Sequence, residues 1–283
     1  MLYRRLAQAY QFDGRLEDAL TALEQAKALQ PDSLLISIEL ATAYLRANNI
    51  AMAAKALQDA GVLTSFLIEH ANRLWQDKDY TGLTQYLQLI EINGEDTFSS
   101  RQFIAAQLAR QQGDQVAEWA LLSEAVTADR GWITTSMRSW AFVRYAEACI
   151  RQKRFNEALA ALETALATTQ GIFSLRDLGI VYRLRGLAFQ GTGDTTQAEA
   201  DFLQAVTLAP DFGWGWMSLG VLRYTTHGEG WDEIDRALAL EPTNRDLWNY
   251  LLAVLQTAHD DQKVAWYCSQ ATQLQIPLNT VCR

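Results

Sequence analysis

The chain has 283 residues, 49% of them hydrophobic, with only four prolines and a net charge of −9. An acidic total of this size argues against a nucleic-acid-binding protein, where a generally basic face supplies most of the affinity. No apolar run approaches the roughly 18 residues of a membrane span, which excludes direct membrane insertion. Three scattered cysteines, Cys149, Cys268 and Cys282, contain no CxxC pair. They point to neither a disulfide framework nor a zinc site and read as small buried hydrophobes. The opening MLYRRLAQAYQFDGR is amphipathic, without the apolar core of a signal peptide. The expectation is a cytoplasmic protein or a segment of a longer chain.

Taken in order, the chain repeats itself. Residues 1–33 show Tyr3, Leu6, Ala7, Tyr10, Gly14, Ala19, Leu23, Ala26 and Pro31. Residues 34–63 carry Tyr44, Ala53, Leu57 and Ala60 in the same phase, and residues 64–98 a degenerate copy with Leu67, Ala71, Leu74, Leu83 and Leu87. Residues 99–138 keep Gly113, Leu122 and Ala125, and residues 139–178 keep Phe142, Ala146, Ala158, Leu162 and Ala165. Residues 179–212 hold the best-formed copy: Tyr182, Gly186, Phe189, Gly193, Ala198, Phe202, Ala205 and Pro210. Residues 213–244 open with Trp216, Leu219 and Gly220 and close at Pro242, while residues 245–283 carry Trp248, Leu251, Leu255, Cys268 and Ala271. From the first aromatic onward the first and sixth copies agree at +4, +7, +11, +16, +20, +23 and +28.

Each unit reads as two antiparallel helices and a short turn. Gly14 or Gly193 supplies a left-handed turn residue. Ala7 or Gly186 on the first helix faces Ala19 or Ala198 on the second, so the two axes can approach closely. Pro31 or Pro210 follows the second helix, because proline cannot continue the hydrogen-bond ladder.

These residues resemble the tetratricopeptide repeat (TPR), whose signature runs W-x2-L-G-x2-Y, A-x3-F and P. Trp216, Leu219 and Gly220 match its opening, and Ala198, Phe202 and Pro210 its close. The resemblance implies an all-α fold: a single α-solenoid over residues 1–283, with about eight helix-turn-helix units wound into a right-handed superhelix. The fourth and fifth units are longer than the usual repeat, with the extra residues in ADRGWITTSMR and TTQGIFSLRDL. Such long units are similar to TPR-like arrays of bacterial signal-responsive regulators. Arrays of this family end in a solvating cap, a role that falls here to the Gln- and Asp-rich eighth repeat.

The resemblance also implies a function: a protein–protein interaction scaffold, with the first helices lining a concave groove for a peptide segment or partner protein. Carrying its groove positions over one by one gives Trp140 in the fifth repeat, flanked by Arg144 and Arg151. It then gives Arg183 and Leu187 in the sixth, and Trp214, Met217 and Tyr224 in the seventh. Charge favours the same stretch. Residues 1–129 balance at −7, residues 130–190 at +5 and residues 191–283 at −7. Aromatic residues beside arginines suit a segment with apolar anchors and some acidic residues.

No enzyme is expected, and no catalytic residue, metal or cofactor is assigned. His70, His227 and His259 fall in different repeats without a partner at ligand spacing. The GTGD at 191–194 lacks the preceding strand and following Lys-Ser/Thr of a phosphate loop. Two other readings remain open. One is a regulatory or sensor module controlling an attached effector domain; the other is a soluble repeat segment of an envelope-associated protein.

Overall fold

The structure is a computed structural model that describes residues 2–59, 64–92, 94–168 and 172–279. Ala60, Cys282 and part of TTQGIFSLRDL lie outside them. The described residues form sixteen α-helices and no strand. The chain divides into two compact units, Met1–Ala141 and Phe142–Arg283.

The first unit contains α1 (Leu2–Phe12), α2 (Leu16–Leu29), α3 (Leu34–Arg46), α4 (Ile50–Gln58), α5 (Thr64–Gln76), α6 (Tyr80–Ile92), α7 (Phe98–Gln111) and α8 (Gln115–Ala128). It also takes the first half of α9 (Thr135–Arg151). Consecutive helices pair as hairpins: α1 with α2, α3 with α4, α5 with α6 and α7 with α8. Ala7 and Ala19, facing each other in the first hairpin, are both 0% exposed, as close packing of small residues requires.

The hairpin turn survives where its glycine does not. Gly14 and Gly113 sit at φ 73° and 77°, and Asn48 and Lys78 take the same left-handed conformation at φ 56° and 58°. A side chain there carries a steric cost of about 1–2 kcal/mol. The residue after each of these two offsets part of it by capping the second helix: the side chains of Asn49 and Asp79 accept hydrogen bonds from the backbone N–H groups of Met52 and Gly82. The weak repeats thus keep the backbone geometry of the strong ones.

The extra residues of the fourth repeat form a stitched connector. Ser99 and Ser100, both 0% exposed, stand at the start of α7. Their backbone N–H groups donate to the Arg130 and Gly131 carbonyls at 3.0 and 3.4 Å. The Ser100 hydroxyl donates to the Gly131 carbonyl and accepts from the Ile133 N–H, each at 2.9 Å. Two small buried hydroxyls thereby satisfy backbone groups that an irregular segment would otherwise leave open.

The second unit contains the rest of α9, then α10 (Phe155–Ala167), α11 (Leu175–Thr192), α12 (Thr195–Leu208), α13 (Gly213–His227), α14 (Trp231–Leu240), α15 (Arg245–Thr257) and α16 (Asp261–Gln273). Ser174 and Asp177 close a reciprocal capping box at the start of α11. At 18 residues α11 is longer than any of the first unit's helices α1 to α8. A Cβ on Gly186 would stand 2.5 Å from the Phe202 ring, so only glycine admits this approach of α12. A second device recurs: the indole N–H of Trp216 donates to the Pro210 carbonyl at 2.9 Å, and that of Trp248 to the Pro242 carbonyl at 3.0 Å. Each tryptophan pins the turn that its proline opens.

Within the eighth repeat, residues 245–283, the segment after α16 covers the last core cluster of the second unit. Ile276 is buried among Trp248, Leu252 and Tyr267, Leu278 packs on the same cluster, and the Asn279 N–H donates to the Asn249 side chain at 3.0 Å. No helical period marks those residues, so their part in the cap shows only in the fold. Cys149 is a free thiol inside the core, as expected, whereas Cys268 departs from expectation in being disulfide-bonded.

Candidate functional site: one face of the second unit

First helices of successive repeats are neighbours, α11 beside α13 and α13 beside α15. Their shared face collects Arg183 and Leu187 from α11, Trp214 and Ser218 from α13, and Tyr250 from α15. Arg183 is the centre. Its Nε donates to the Trp214 carbonyl at 3.2 Å and to the Ser218 hydroxyl at 2.9 Å. Its guanidinium carbon lies 5.0 Å from the centroid of the Trp214 ring, within cation–π range. Trp214 in turn leans on Tyr250, with ring centroids 5.8 Å apart.

No carboxylate stands within ion-pair distance of Arg183 among the described residues. Burial pulls its pKa below the usual arginine value, while Tyr250 and the Glu147 carboxylate push it back up. Arginine stays protonated throughout, so this is a half-buried cation that forms no ion pair among the described residues. Such a group costs stability unless something completes it. Next to it opens a cavity of about 450 Å³, lined by Gln190, Val221, Thr225, Tyr250 and Val254 among others.

The other expected groove residues fare differently. Leu187 is half-buried on the same face as Arg183, against the Phe202 and Leu219 cluster. Arg144 and Arg151, on α9, both pair with Glu147 between them, at 3.0 and 3.7 Å. Trp140 is half-buried on α9 but belongs to the first unit. Two assignments need correction. Met217 is 0% exposed and lies in the core, while its neighbour Ser218, buried at 3% exposure, meets Arg183 instead. Tyr224 turns toward the second helices: its hydroxyl donates to Asp260 at 3.0 Å, and its ring meets Trp231 edge-on at 4.7 Å.

The +5 segment also dissolves in three dimensions. Arg130 pairs with Asp96, Arg138 with Asp129, Arg176 with Asp211 and Arg185 with Asp201. All four acids lie outside residues 130–190 in the sequence. A charge count along the chain treated as excess what folding neutralises from elsewhere. Ser218 and Tyr250 are the residues that sequence reasoning missed. Ser218 stands one residue past the spacing that pointed to Met217, and Tyr250 follows it by 32 residues, as Trp248 follows Trp216. That repeat offset was the available signal.

Two family models, each described as tetratricopeptide repeat, match residues 2–33 and 137–211. Among solved structures, the chain resembles Pseudomonas aeruginosa pilF at 16% identity and a TM-score of 0.50, over 75% of this chain and 91% of that one. It also resembles a chain of the APC/C hetero-tetramer Cut9–Hcn1 at 12% identity and a TM-score of 0.51, over 97% of this chain and 52% of that one. At these identities the likeness concerns the fold alone. No curated protein matches by sequence. With helical hairpins through both units, the chain carries tetratricopeptide repeats over residues 2–33 and 137–211, and that fold generally mediates binding between proteins. No helix among the described residues is long and apolar enough to cross a membrane.

Proposed function

We propose that this protein is an interaction scaffold, without catalysis of its own, that holds an extended segment of a partner protein along α11, α13 and α15 of its second unit. A carboxylate of that segment pairs with Arg183. An apolar side chain rests on Trp214 and Tyr250 and reaches the neighbouring cavity. The observation that carries this reading is the half-buried Arg183, held in place by Trp214 and Ser218 yet forming no ion pair among the described residues. A bound carboxylate would complete it with two parallel hydrogen bonds, the geometry that a guanidinium fork favours.

The test is selection of a displayed random-peptide library on the wild-type protein, followed by binding of the selected peptides to variants. The selected sequences are expected to share an acidic residue next to an aliphatic or aromatic one. Their affinity should fall as salt rises, because exposed charge pairs are screened over about 10 Å at 0.1 M. Arg183→Glu should abolish binding through like-charge repulsion, and Trp214→Ala should weaken it by about 2 kcal/mol if the ring is an interface anchor. Selection of sequences without acidic residues, or unchanged binding to Arg183→Glu, would refute the proposal.

A further inference from the structure

The second helices of the last two repeats carry an aromatic slot on a separate surface. Trp231 opens α14, and Trp266 and Tyr267 lie on α16. Trp231 and Tyr267 are nearly parallel, 6.1 Å apart at 20°, while Trp266 stands edge-on to Tyr267 at 4.5 Å and 88°. Between them is a cavity of about 280 Å³ that Asp235, Gln262 and Lys263 complete. Drug-sized ligands occupy about 300–1,000 Å³, so this slot takes a single side chain.

Two features of the slot concern cations. The Lys263 ammonium sits 4.0 Å from the centroid of Trp231, so one ring face already holds a positive charge. Asp235 accepts the Tyr267 hydroxyl on one oxygen at 2.8 Å and has no ion pair among the described residues. Trp266 is the anomaly. It is 50% exposed, off the buried stripe of Tyr267, Cys268 and Ala271, and its indole N–H has no hydrogen-bond partner among the described residues. The core does not require a large ring at this position.

The surrounding charge selects the occupant. Asp232, Asp235 and Asp261 are exposed on these two helices and form no ion pair among the described residues. Asp232 and Asp261 sit in first turns, where the helix dipole favours them without any ligand. Asp235 has no such reason. The bases on the two helices are Lys263, in the slot, and Arg236, which stacks on Trp216 at 4.1 Å. A negative field around paired rings suits a positive group, and a planar one fits best. A guanidinium can stack on an indole and present two N–H groups to one carboxylate, which an ammonium cannot do.

We propose that this slot receives an arginine side chain of a partner protein. The guanidinium stacks on Trp266 and donates to the free oxygen of Asp235, and Lys263 swings off Trp231 to admit it. The site is independent of the α11–α13–α15 face.

The probe is the peptide acetyl-Gly-Arg-Gly-amide, followed through the indole N–H signals of the 15N-labelled protein. Peptides with lysine or with uncharged citrulline in place of arginine serve as comparisons. Saturable shifts of the Trp231 and Trp266 signals are expected with arginine, weaker ones with lysine and none with citrulline. Trp266→Ala should remove the Trp231 shift at an unchanged melting temperature, because the ring lies half outside the core. Asp235→Asn should weaken binding roughly tenfold, the loss of one charge-assisted hydrogen bond, and Lys263→Met should tighten it by removing the internal competitor. Arg183→Glu should leave every response intact, which separates this site from the groove. Equal responses to arginine and citrulline, or a Trp231 shift that survives Trp266→Ala, would overturn the proposal.

Discussion

The two faces of α11 carry arginines two residues apart with opposite fates. Arg185 faces α12 and forms a bidentate pair with Asp201, both hydrogen bonds at 2.7 Å. Asp201 is only 4% exposed, and the pairing raises the Arg185 pKa above its usual value. Arg183 faces α13, finds a carbonyl and a hydroxyl instead of a carboxylate, and burial lowers its pKa. The first arginine is finished by the fold; the second is left for something else to finish. Net charge along a segment cannot distinguish them, because the decisive quantity is which acid each side chain meets across the helix interface.

The largest expected effect lies on the finished face. Asp201→Ala leaves Arg185 without its partner in a confined place, and should destabilise the second unit by about 2–3 kcal/mol. Chemical denaturation followed by circular dichroism measures this. A loss below half that value would mean that Arg185 escapes to solvent and that the two faces are less different than the geometry implies.

A smaller effect is expected on the open face. Arg183→Met removes a half-buried charge and keeps most of its apolar contact with Trp214, so stability should change by less than about 1 kcal/mol in either direction. Its ligand binding should nevertheless be lost. A large drop in stability for Arg183→Met would show that this arginine is structural after all.

The smallest effect concerns another pair of the same basic segment. Asp129 accepts the Trp132 indole N–H at 2.8 Å and two N–H groups of Arg138 at 2.8 and 2.7 Å. The Arg138 hydrogen bonds lead in holding its carboxyl below the usual aspartate value. A depressed carboxyl stabilises the fold above its unfolded pKa, about 3.9, and that contribution disappears as the pH falls through the lower folded value. The melting temperature of the wild type should therefore fall more steeply than that of Asp129→Asn below about pH 4. Parallel curves would remove this pair from the charges that folding neutralises.

Much of the fold was legible because repeats state their geometry many times. The spacing of Ala7, Gly14 and Ala19 predicts the hairpin, and the sixth repeat restates it with Gly186, Gly193 and Ala198. Where letters are lost, as at Asn48 and Lys78, the backbone still takes the left-handed turn, since neighbouring hairpins pack only if that turn is made. The candidate site was legible in part. Arg183, Leu187 and Trp214 do share one face, but Met217 is in the core and Tyr224 is drawn to Asp260 and Trp231. A one-residue error rotates a helical side chain by about 100°, enough to exchange Ser218 for Met217.

The sequence by itself determined the helical class, the hairpin unit and the close helix contacts, because these depend on residue size and spacing within some thirty positions. Tertiary structure alone decided which charges remain available. Four acids from outside the basic segment neutralise four of its arginines, Ser218 and Trp214 hold a fifth that forms no ion pair among the described residues, and the second helices bring Trp231 to Trp266 around a slot that no repeat letter encodes. Electrostatic pairing acts across space over a few ångströms, and adjacency of that kind exists only after the helices have stacked.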